Sequence, residues 1–341
     1  MSFINRFKLL SLVYYWPQMV IVLVWLFLVV ANYVPGTWLS GWDALHPEFN
    51  FSLYFQRILN VWQDHQGLGA PPAQAHLSEL PRMLLYYPMS WVLPDSFLRY
   101  GYFFVCLLLG PLGVYAFLTR AVFGKKNLIV KISGLVTSLV YLLNLTVLQQ
   151  FYVPLEMFAT HYASIGWLFL YAFLYLKHHR RRDLVVFCLL TFFSASMAHT
   201  ATLWYVYFGC IGLFIFLNSF GDRPRWRYAI YLTLVTLVVN AFWLLPNAYY
   251  VINHSSVVKE AKISRSFSQE AFLNGAEYGT LMNLITQKNF LFNWQDYDVK
   301  SERFVPIFDE WESVVNSDSF AVLWSLIFIL SLNGMIYAYK K

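Results

Sequence analysis

Apolar runs long enough to cross a bilayer recur along this chain, and short basic clusters separate them. A helix needs roughly 17–25 such residues to span the hydrocarbon layer. That pattern restricts the fold class to an all-α membrane protein with about eight transmembrane helices. Only 12% of the residues are charged and 59% are hydrophobic, whereas a soluble domain carries about twice that charge. The isoelectric point near 9.0 invites a nucleic-acid partner, and the placement of the charge rejects one. The basic residues sit between apolar spans instead of forming one binding face.

The clusters are Arg6 and Lys8; Lys125, Lys126 and Lys131; Lys177 to Arg182; Arg223, Arg225 and Arg227; and Lys340 with Lys341. Basic residues beside spans mark cytoplasmic ends. The acidic residues lie elsewhere: 15 of 18 fall in two segments, 35–96 and 249–319. These predict two large extracytoplasmic loops on a single transmembrane domain, 1–341, with both termini cytoplasmic in a multi-pass plasma-membrane protein. The apolar run from Leu9 to Val34 is too long for a cleaved signal and predicts a retained anchor. Cys106, Cys188 and Cys210 all lie in apolar spans, without disulfide or metal spacing.

The expected spans are 18–34, 97–117, 128–148, 154–176, two within 184–218, 228–245 and 320–337. Segment 184–218 has basic flanks on both sides, so it crosses an even number of times. Its 35 residues give about 52 Å of helix against roughly 60 Å for two crossings. The hairpin tip, SASMAHTAT, therefore stops short of the outer surface and holds His199 inside the outer leaflet. In the first loop, Pro47 suits the first turn of a helix. Phe51, Tyr54, Phe55, Ile58, Leu59 and Trp62 then recur on one face, which predicts an amphipathic helix on the membrane surface. Ser78 is expected to cap a second interfacial helix.

Segment 36–82 holds Asp43, His46, Glu48, Asp64, His65, His76, Glu79 and Arg82 between apolar neighbours. Asp43, close to the membrane, has the chemistry of a general base on a hydroxyl, or of a ligand to a divalent ion that neutralises a leaving phosphate. A turn or capping carboxylate is the structural alternative. Asp43 and Glu48, with His46, offer mixed ligands to magnesium or manganese, although Pro47 breaks any helical register. His76, Arg82 and His199 are candidates to hold a lipid phosphate, Arg82 through its bidentate fork. Glu156 and His161 stand in the outer half of a span, where ionisable groups face protein or a wet cavity.

The stretch GWDALHPEFNFSLYFQRILNVWQDHQGLGAPPAQAHLSELPR resembles the first outer loop of large bacterial membrane proteins similar to the type C glycosyltransferase superfamily. That group includes the arabinofuranosyltransferases of mycobacterial cell walls. The resemblance implies a multi-spanning helical fold that takes sugar from a polyprenyl-phosphate donor at the outer face, for a glycan or protein acceptor. It also implies a catalytic acid in this loop, and Asp43 is the position that matches. A second acid two residues on is usual there; here Ala44 and Leu45 follow. The rival expectations are a transporter or flippase for a lipid-linked glycan, marked by paired mid-membrane polar residues, and a non-catalytic membrane scaffold.

Overall fold

The computed structural model describes residues 3–41, 46–64, 69, 75–124, 127–260, 276, 279–288 and 290–339. The chain divides into two compact units, residues 1–255 and 256–341. Among the described residues, seven helices are long and apolar enough to cross a membrane. The chain is therefore an all-α membrane protein with one fewer full-length span than expected.

The first unit contains α1 (Phe3–Asn32), α2 (Phe51–Leu59), α3 (Leu80–Met89), α4 (Asp95–Phe117), α5 (Leu128–Leu142), α6 (Leu145–Tyr152), α7 (Glu156–His178), α8 (Arg181–Phe193), α9 (Ala201–Ser219) and most of α10 (Arg223–Lys259). The missing span is the one expected at 128–148. It is broken, and α5 at 15 residues makes only about 22 Å of helix. Asn144 causes the break. Its Nδ2 donates to the Tyr141 carbonyl at 2.7 Å, and its Oδ1 accepts from Val147 N at 3.3 Å. One helix ends and another starts on the same side chain.

The amphipathic segment is also shorter than its pattern. A 3₁₀ turn, Pro47–Phe49, precedes α2, and Asn50 caps α2 by accepting from Leu53 N at 3.0 Å. Tyr54 and Ile58 of α2 bury against Met83 and Tyr86 of α3 and Leu98 of α4. The other face leaves Leu53, Leu59 and Trp62 exposed. Ser78 does not cap α3; it lies inside a 3₁₀ turn, His76–Glu79, that leads directly into that helix.

Helix α7 is the centre of the unit and packs against α4, α8 and α9. Its approach to α4 depends on small residues, as is usual between membrane helices. A Cβ added at Gly166 would overlap the backbone of Gly113, and one at Gly113 would meet the Trp167 ring at 2.8 Å. The Trp167 ring is pinned, since its Nε1 donates to the Leu109 carbonyl at 2.9 Å. A second core joins α7, α8, α9 and α10, where Trp243 meets Trp204 edge-on at 5.0 Å. The hairpin α8–α9 turns through a 3₁₀ segment, Ser194–His199. Its tip is buried, and Ser196 Oγ donates to the Ser78 carbonyl at 3.3 Å.

In the second unit, a short helix Leu281–Thr286 packs on the final helix, Asp318–Tyr339. This unit also contains a structure the sequence pattern did not suggest, an antiparallel pair of strands, Gln295–Asp298 with Arg303–Pro306. Asp298 closes their turn. It accepts from the Ser301 hydroxyl at 2.6 Å and from the amides of Lys300 and Ser301.

Two outcomes follow. Gly166→Ala should lower the unfolding midpoint in detergent, because overpacking a fixed contact costs about 1–3 kcal/mol. Gly209→Ala, with open space at its Cβ, should not lower it; equal midpoints for both variants would refute the close contact. The Ser301 hydroxyl, then the Lys300 and Ser301 amides, hold the Asp298 carboxyl below its usual 3.8. Its contribution is complete above that value and is lost as pH falls through the lower, folded-state value. Strand-pair amide shifts should therefore collapse in acid, and in Asp298→Asn they should no longer titrate.

Candidate functional site

Glu156 opens α7, and its Oε1 lies 2.6 Å from Arg82 Nη1 and 2.6 Å from Arg99 Nη2. One carboxylate oxygen thus joins the first turn of α3 to the second turn of α4 at the start of a third helix. All three side chains are buried: Arg99 is 1% exposed, Arg82 3% and Glu156 6%. Ions this far from water persist only when paired on every side. The pairing is supplied by the first loop.

Glu79 closes the outer side of Arg82, with Oε2 accepting from Nε at 2.5 Å. Arg99 donates through Nη1 to the Leu39 carbonyl at 3.3 Å and to His46 Nε2 at 3.2 Å. A guanidinium can only donate, so Nε2 of His46 is the acceptor, and the Ser40 hydroxyl meets the same atom at 3.2 Å. The ring proton is therefore assigned to Nδ1, which donates to Glu48 Oε1 at 2.9 Å. Glu48 Oε2 is buried and has no hydrogen-bond partner among the described residues.

Aromatic hydroxyls line the network. Arg82 lies over the Tyr86 ring at 5.2 Å and the Tyr102 ring at 6.0 Å. Burial, then the charge of Glu79, keeps the Tyr54 hydroxyl above its ordinary range against the pull of Arg82. Burial also raises Tyr86. Burial opposes the charge on Arg82 as well, but Glu156 and Glu79 outweigh it and hold the guanidinium well above its usual value. Within α7, Thr160 Oγ1 donates to the Glu156 carbonyl at 2.7 Å. Its proton is thereby used, so Tyr102 Oη is the donor in their 2.5 Å contact. That bond ties α4 to α7 just inside the network.

The accessible edge is histidine. His199, at the hairpin tip, is 24% exposed and brings Nδ1 to 3.7 Å from Glu79 Oε1. His76 stacks on it with ring centroids 5.3 Å apart and planes 15° from parallel. The network therefore carries one hydrogen-bonded carboxylate–imidazole pair, Glu48–His46, and a longer approach of His199 to Glu79, on either side of an Arg82–Glu156–Arg99 chain. Such a pair can orient an imidazole for proton transfer or for donation to an anion.

Of the residues singled out in the sequence, His46, Glu48, His76, Arg82, Glu156 and His199 meet here. His161 takes a different direction: its ring packs on Tyr207 of α9 at 4.7 Å. Asp43 falls outside the described residues. For a divalent ion, no group of three or more His, Cys, Asp or Glu is suitably arranged among the described residues, and Asp43, the expected partner of Glu48, is not among them. Sequence reasoning missed Arg99. Its signal was a guanidinium in the second turn of an otherwise apolar span, which calls for an acidic partner.

Removing one partner of a buried ion pair costs about 3–5 kcal/mol, so Glu156→Gln should destabilise the protein severely in detergent unfolding. The exposed pair Asp222–Arg225 is the control, since surface pairs contribute about 0–1 kcal/mol. If Glu156→Gln unfolds no earlier than Asp222→Asn, the network does not hold the outer end together.

No protein-family model matches the chain, and comparison with curated proteins and with solved structures gives no match.

Proposed function

We propose that the chain is a membrane glycosyltransferase that moves a sugar from a polyprenyl-phosphate donor to a glycan or protein acceptor at the extracytoplasmic face. The observation that carries it is the convergence of the first loop on the start of α7. His46, Glu48, Glu79 and Arg82 come from the loop and meet Glu156 and His199 from helices far along the chain. Asp43 lies three residues before His46 in the same loop. The basic clusters face the cytoplasm, which puts this end outside. The exposed apolar residues of α2 and α3, among them Leu53, Leu59, Leu84 and Leu85, with Trp62 and Trp91 just beyond their ends, suit a prenyl chain lying at the interface.

In the reaction so read, Asp43 takes the proton of the acceptor hydroxyl. The acceptor oxygen bonds to the anomeric carbon as the bond to the phosphate oxygen breaks, and the polyprenyl phosphate leaves with that electron pair. His76 and His199, at the accessible edge, donate to the departing phosphate. Arg82 is enclosed by Glu79 and Glu156, so its part is to hold those carboxylates and, through Glu79, to aim His199. A transporter would need unspent polar groups along several spans. The two mid-span asparagines are instead used locally, Asn144 at its helix break and Asn240 by Thr236 and Trp243.

Asp43→Asn keeps the shape and removes the base, and loss of a general base costs about 10²–10⁴ in rate. The measurement is sugar transfer by purified protein from polyprenyl-phosphate pentose and hexose donors, with folding checked by monodispersity. Full activity in a folded Asp43→Asn protein would end the catalytic assignment. Failure of the wild-type protein to consume any such donor would end the proposal.

A further inference from the structure

From Glu156 to His178, α7 runs about 33 Å and ends at a feature unlike the outer network. A cleft of about 970 Å³ opens there among α1, α4, α5, α7 and the start of α8. Helix α1 packs on α4 and α5, and α7 packs on α4. The cleft is the space left between α1 and α7, floored by Leu112, Tyr115 and Ala116 of α4 and by Thr119 just beyond its end. Its volume is at the upper end of the roughly 300–1,000 Å³ typical of ligand sites.

Two properties describe what would fit. The rim is cationic: Arg120, Lys131, Arg180 and Arg182 reach it from three separate segments, against one carboxylate, Asp183. The walls are apolar, with Met19, Val22 and Leu23 on α1 and Trp167 and Leu174 on α7. The α1 wall also faces outward, Leu23 being 62% exposed and Met19 42%, so the cleft opens towards acyl chains rather than into closed protein. Gln18 lines the same wall, and its amide oxygen is buried without a hydrogen-bond partner.

We infer that this cleft binds an anionic phospholipid of the adjoining leaflet, phosphate at the basic rim and acyl chains along α1 and α7. Basic pockets between membrane helices recognise anionic headgroups in this way. The combination of cationic rim, apolar wall and lateral opening selects an anionic lipid over a free anion. The inference is independent of the sugar chemistry proposed for the opposite end.

The probe is phosphatidylglycerol, compared with phosphatidylcholine and with inorganic phosphate, in native mass spectrometry of the delipidated full-length protein. Phosphatidylglycerol should bind at least tenfold more tightly than phosphatidylcholine. Each rim charge removed should weaken it about fivefold, so Arg120→Gln, Lys131→Gln and Arg182→Gln together should cost about a hundredfold, and lysine in place of both arginines should restore most of it. Equal binding of the two lipids, or unchanged binding in the folded triple variant, would overturn the inference. So would inorganic phosphate that binds as tightly as the lipid. The comparison of lipids on wild-type protein needs no variant, so a triple variant that fails to fold leaves the test intact.

Discussion

The end of the first unit where α3, α4 and α7 meet depends on one oxygen atom, Oε1 of Glu156, which faces two guanidiniums at 2.6 Å. Neither arginine is tolerable at that depth alone, and the carboxylate is equally costly unpaired. Each ion therefore fixes the position of the element that carries it, and α3, α4 and α7 are held together as one set. The position also suits the helix. Leu155 offers α7 no side-chain cap, and a carboxylate in the first turn complements the positive end of the helix dipole.

The two ends of the bundle handle charge in opposite ways. At the end built around Glu156, three carboxylates and two guanidiniums pair in a nearly dry interior, the carboxylates one in excess, and among the described residues His76 and His199 form a partly exposed edge. At the other end, cations from three segments surround an open apolar cleft. The first arrangement makes a frame; the second makes a receptor. Helices α4 and α7 serve both because their close contact at Gly113 and Gly166 leaves each helix end free to carry different chemistry.

Much of this could be read from the residues, and the reasons for the rest are physical. Apolar length and basic clusters gave the spans, since bilayer thickness acts on composition alone. The length deficit of the α8–α9 segment marked His199 as the residue at a short hairpin tip, and at that tip it stands against His76 and Glu79. Local hydrogen bonding was less visible. Asn144 splits a span because its side chain competes with the helix ladder, which no hydropathy pattern reports. Ser78 is a good cap by type, yet the chain turns directly from 3₁₀ to α and leaves no capping position. Arg99 was hidden because its partners, Glu156 and His46, lie more than fifty residues away on either side. Its pairing is a property of tertiary structure.

Nε2 of His46 is filled by a guanidinium N–H, so the ring has no lone pair to offer an incoming proton until Arg99 is turned aside. Arg99 cannot turn without weakening its hold on Glu156. The imidazole nearest in sequence to Asp43 is thus committed at both ring nitrogens, Nδ1 to Glu48 and Nε2 to Arg99. His76 and His199 are held instead by stacking on each other, with partly exposed rings, so the site contains imidazoles under two kinds of constraint, one clamped by charge and one resting on a neighbouring ring.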